Sequence, residues 1–174
     1  MSVISLLIIE PEYLPSFEAV KREAETSGGV IELHEPVDLN THTGFLPVRV
    51  HGRQTGFEYY FEPIAQGALP PETVEFGTHH IVTRTGSDFE EGRAALLFLQ
   101  VAAKLSGGAY AYPDDAIIVP PQETQAYLVE QVREYDAVIQ DNDEKAAMQA
   151  SSREPSSPPD KPRGLLSRLF GKKD

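Results

Sequence analysis

The chain contains no cysteine among its 174 residues. Disulfide frameworks, thiolate nucleophiles, iron–sulfur clusters and cysteine-based zinc sites are excluded together. The common catalytic signatures are missing as well: no G-x-S-x-G elbow, Walker loop, dinucleotide fingerprint or H-E-x-x-H helix occurs. Basic residues are scarce, with 15 Lys and Arg against 27 Asp and Glu and a formal net charge of −12. A surface of that sign repels phosphates, so DNA and RNA are not expected partners, whereas a basic protein is. The apolar stretch from Val3 to Ile9 is too short to span a bilayer and follows no positive residue. It reads as a strand rather than a signal peptide, which makes the cytoplasm the expected compartment.

What is present is divided unevenly. Residues 1–140 hold 8 Lys and Arg against 21 Asp and Glu, a net of −13, while residues 161–174 hold 5 against 1, a net of +4. An acidic body ends in a basic tip. From Asp141 the composition turns to serine, proline and charge, too polar to bury a core of its own, and residues 141–163 are expected to form a flexible linker. The domain expectation is therefore an acidic globular part over 1–140, that linker, and a short basic amphipathic helix over 164–174.

The globular part is organised around residues 87–106. Ala94 to Leu99 is unbroken and apolar, Val101, Ala102, Ala103 and Leu105 extend it, and only Glu90, Arg93, Gln100 and Lys104 mark a polar stripe. A helix so apolar belongs at the centre of a core. Ser87 with Glu90 forms a capping box at its start, and Gly107 and Gly108 close it.

A second helix is predicted from Pro15 and Ser16 to Thr26, and a third from Pro120 and Pro121 to about Gln140, with Leu128, Val132, Tyr135 and Ile139 as its apolar stripe. Strands are predicted at 3–9, 30–34, 45–50, 56–61, 75–84, 109–112 and 116–119, with residues 51–55 as a hairpin loop and Pro113 to Asp115 as a turn. The sum is an α+β fold: a mostly antiparallel sheet of six or seven strands, about three helices, and a disordered C-terminal tail.

Chemistry-bearing residues are few. Adjacent His79 and His80 point to opposite faces of a strand and cannot share a metal there. His34, Glu35, Asp38 and His42 lie close in sequence and give the alternative of a small hydrolase or metal-dependent enzyme built on the His34–His42 loop, although their spacing fits no helix-based zinc pattern. Glu90 with Glu91 and Asp114 with Asp115 are explained by a helix start and a turn. No catalytic, cofactor-binding or metal-ligating residue is assigned.

Two features point to binding. Tyr60, Tyr110 and Tyr112 are candidate interface residues, since tyrosine brings contact area at small entropic cost. The second feature is the tip: Leu165, Leu166, Leu169 and Phe170 share one side of a helix, with Arg168, Lys172 and Lys173 among the charges. It resembles the membrane-targeting helices of peripheral proteins, which combine apolar insertion with attraction to anionic lipid. The reading is a non-catalytic protein-interaction domain whose tip docks to a membrane surface or a partner protein, cytoplasmic and peripheral at the inner membrane. The alternation of strands and helices in a small acidic chain also resembles toxin-immunity proteins at the level of class. That likeness implies an inhibitor of a basic protein as the alternative.

Overall fold

Strand β1 (Val3–Ile9) is flanked on both sides, because its alternation supplies apolar side chains to both faces of a sheet. Leu7 and Ile9 enter one core cluster, Leu6 and Ile8 another, and all four are buried. The computed structural model describes residues 2–152. Among them a seven-stranded sheet has the order β2-β3-β4-β5-β1-β6-β7, with β2 (Ile31–Leu33), β3 (Gly44–Val50), β4 (Arg53–Pro63), β5 (His79–Thr85), β6 (Ala109–Tyr112) and β7 (Ile117–Val119). Every adjacent pair is antiparallel, and the two edge strands are three residues each. The α+β expectation holds, with three α-helices among the described residues: α1 (Phe17–Thr26), α2 (Phe89–Ser106) and α3 (Pro121–Ser152).

Helix α2 lies against the sheet with nearly its whole circumference buried. Phe98 is fully enclosed, its ring 5.3 Å from Phe57 and 5.7 Å from Tyr59, the latter edge-on. Burying such a ring contributes about 1.5–3 kcal/mol, and each aromatic pair adds about 0.5–1.5 kcal/mol. Helix α1 packs beside it, started by Ser16, whose hydroxyl accepts the Ala19 N–H at 3.2 Å.

Several details differ from the sequence reading. Asp88 rather than Ser87 caps α2, accepting the Glu90 N–H at 2.9 Å, while Glu91 reaches back to the Gly86 N–H at 2.8 Å. A charged carboxylate at the positive end of the helix outcompetes the neighbouring hydroxyl. Arg93, read as part of the polar stripe, is buried; it donates to Glu90 and, at 2.9 Å, to Asp136 of α3. Gly92 makes that approach possible, because a Cβ there would stand 2.3 Å from the Tyr135 ring. The hairpin between β3 and β4 turns on His51 and Gly52 alone, at φ 48° and 78°, the paired positive values of a tight turn that follows the strand twist. Residues 53–55 are therefore ladder, not loop. Glu75 and Phe76 belong to a 3-10 segment, Pro71–Phe76, because Pro70 and Pro71 fix its start and Gly77 ends it before β5.

The end of the third helix needs the largest correction. Residues 141–152 continue α3, and residues 153–163 of the expected linker lie outside the described residues. Lys145, Ala146, Ala147, Met148 and Gln149 are good helix formers, and extending an existing helix avoids the nucleation cost that a separate segment faces. The chain divides into two units at Asp141 and Asn142. In the first, α3 buries Leu128 and Ile139; in the second, its side chains from 142 to 151 are exposed.

Candidate interaction face

The sheet has two unlike faces. The helices cover one. On the other, Ile64, Leu69 and Phe76 of the connection between β4 and β5 pack on Leu6, Ile8, Val82, Ala109 and Ala111. They cover only part of it. The antiparallel register then places Phe45 of β3, Glu58 of β4 and Arg84 of β5 in one row, with Tyr60 and Val82 in the next.

This uncovered row has a definite geometry. Phe45 is 58% exposed, and its ring lies over Gly56, where a Cβ would stand 2.3 Å from Cζ. Tyr60 donates its hydroxyl to Glu58 at 3.2 Å, and the Arg84 guanidinium stands 3.7 Å from the same carboxylate and 5.7 Å from the Tyr60 ring centroid. Partial burial and the Glu58 carboxylate push the Tyr60 phenol above its ordinary range. A cavity of about 330 Å³ opens beside Phe45, walled also by Gly56, Glu58, Arg84 and Glu91. Aromatic rings and an arginine over a packed base are the residue types that dominate protein interfaces.

No family model matches the chain, and neither curated proteins nor solved structures yield a match. The site is accordingly read from its own chemistry.

Of the three tyrosines selected from the sequence, Tyr60 lies on this face. Tyr110 does not: it is buried on the helix-covered side, within 3.1 Å of the Ser5 hydroxyl and tilted against Tyr127 at 5.4 Å. Strand alternation places it opposite Val119 and beside Leu7, so its ring is core, and burial raises its phenol far above the ordinary value. Tyr112 is half-buried against the same core, with Asp114 and Asp115 near enough to raise its phenol further after burial has done so. Tyr127 is raised likewise, by burial first and then by Glu134 and Asp115.

The histidines separate. His79 stacks on Phe61 at 5.3 Å, while His80 points to the other face, between Ile8 of β1 and Glu62 of β4 in the ladder. His80 is buried, its Nε2 is 3.5 Å from Glu62, and its Nδ1 has no hydrogen-bond partner among the described residues. Desolvation holds its pKa below the ordinary histidine value, against a smaller opposing pull from Glu62. His34 pairs with Glu32 at 3.4 Å, His42 rests 6.0 Å from the Tyr59 ring, and the Asp38 carboxylate accepts from Asn40 N–H and the Thr41 hydroxyl within its own turn. Among the described residues no group of three His, Asp or Glu side chains gathers to hold a metal ion. None of their helices is long and apolar enough to cross a membrane.

The tip residues Leu165, Leu166, Arg168, Leu169, Phe170, Lys172 and Lys173 lie outside the described residues. Sequence reasoning did not single out Phe45, Glu58 and Arg84 as interface residues; they come from three strands and meet only through register. The signal available was the break in alternation at Phe45, an aromatic in line with Pro47 and Arg49 on the outward side of β3.

Proposed function

We propose that this chain is a non-catalytic docking protein, in which an acidic α+β domain is attached to an anionic membrane surface through the C-terminal segment 164–174. The observation that carries the reading is the reversal of charge within one chain, from −13 over residues 1–140 to +4 over residues 161–174, where it coincides with Leu165, Leu166, Leu169 and Phe170 at helical spacing. Each basic residue near anionic lipid contributes about 1 kcal/mol, and the apolar side chains add insertion. One such segment gives weak, reversible attachment. Co-sedimentation with anionic vesicles tests it: the full chain should pellet, and a truncation after Arg163 should stay in solution. If neither pellets, the membrane reading fails and a groove on a partner protein becomes the target for this segment.

A second reading, inhibition of a basic protein, is favoured by one particular patch. Burial raises both the Tyr112 and Tyr127 phenols, and carboxylates add to it: Asp114 and Asp115 beside Tyr112, Glu134 and Asp115 beside Tyr127. Aromatic area ringed by negative charge suits a cationic surface, and the association rate with such a partner should fall steeply from low to high salt. A salt-independent rate would remove this reading.

A further inference from the structure

We infer that the uncovered part of the sheet is a self-association face, and that its occupant is a second copy of this chain. Two-fold pairing requires one patch to be complementary to itself in both shape and charge. Shape is met by Phe45 and the cavity beside it: a ring that rests on Gly56, in a residue 58% exposed, next to a hollow of about 330 Å³ in which Phe45 forms one wall. A rotation axis passing between ring and hollow seats each copy's Phe45 in the other's cavity. Gly56 lets the ring lie close on the strand, since a Cβ there would collide with Phe45 and with the Leu46 carbonyl oxygen at 2.6 Å.

Charge is met by Glu58 and Arg84. They sit 3.7 Å apart and are both nearly half exposed, so the same rotation can set each against its opposite in the other copy. The face as a whole differs from the rest of the domain. The charged side chains its strands project are Glu32, Arg49, Glu58, Glu62 and Arg84, a net of −1, or −2 with Glu91 of α2 at the cavity wall, in a body of −13. A strongly basic partner gains nothing here, and an anionic surface is not attracted. Mixed charge around an aromatic centre fits a copy of itself. A dimer carries two C-terminal segments, and the second then binds at raised effective concentration.

Sedimentation equilibrium of the full chain, in lipid-free buffer, tests the inference apart from the membrane reading. The weight-average mass should climb from 19.2 kDa towards twice that value with concentration, and should hold or rise with added salt. Phe45→Glu and Arg84→Glu should each weaken the dimer by about tenfold or more, with circular dichroism unchanged. The double variant Glu58→Arg with Arg84→Glu, which restores opposite charges across the axis, should recover it. A chain that stays at 19.2 kDa throughout, or a dimer indifferent to Phe45→Glu, overturns the inference. So does a dimer that disappears on truncation after Arg163, because association would then belong to the C-terminal segment.

Discussion

The two faces of the sheet are made from the same strands and do different work. On the helix-covered face, Leu7, Ile9, Phe57, Tyr59 and Ile81 meet α2 and are closed from solvent. On the other, β3, β4 and β5 alternate into Phe45, Glu58, Tyr60 and Arg84, which are held in place by one another and not by a covering layer. The first face determines whether the chain folds. The second is ordered by the first and remains free to meet something else. Mutations should therefore separate stability from association according to the side on which they fall.

The sharpest contrast is expected at Phe98. Phe98→Ala removes the ring between Phe57 and Tyr59 and should cost about 3–5 kcal/mol in urea unfolding, with any self-association lost only as a consequence of unfolding. Next comes Asp136→Ala. It leaves buried Arg93 with Glu90 as its remaining carboxylate partner and should cost about 1–2 kcal/mol, below the value for a fully buried pair because Asp136 is 45% exposed. On the open face, Phe45→Ala should change stability by less than about 1 kcal/mol while weakening the dimer. A large loss of stability there would erase the distinction between the faces.

The smallest effect is a pH slope at His80, where the second face is covered. Its folded-state pKa lies below the unfolded value, so the unfolded chain takes up the proton first as pH falls. The stability linked to this group is complete above about 6.5 and is lost as pH drops from there through the folded pKa. Glu62 and the neighbouring His79 set how far that window extends. His80→Gln should flatten the slope in urea midpoints between neutral and mildly acidic pH. An unchanged slope would assign the dependence to other groups.

How much of this was legible depended on whether a signal ran along the chain or across it. The central helix could be read because its apolar run and closing glycines are contiguous, and β1 because its length and composition demand neighbours on both faces. Errors arose where two neighbours compete for one role, as Ser87 and Asp88 do for the cap, or where composition stands in for propensity, as in the last turns of α3. Tyr110 was misplaced because an aromatic in a short strand gives no sign of which face has a helix over it. Tyr60 was selected as a tyrosine, and the alternation within β4 turns it to the open face, but its companions were not selected. Nothing in the intervals between residues 45, 58 and 84 foretells that two ladders will bring them into one row.

The sheet's outer strands have a consequence for the kind of assembly this chain can make. β2 and β7 are three residues long, so each rim presents only a short line of unpaired amides and carbonyls. Growth by adding strands to a rim, the route to ribbons and fibres, has little to start from. Contact through the flat of the sheet uses up the patch that makes it and stops at two. A chain built this way can expose an aromatic surface at cellular concentrations and still form particles of fixed size.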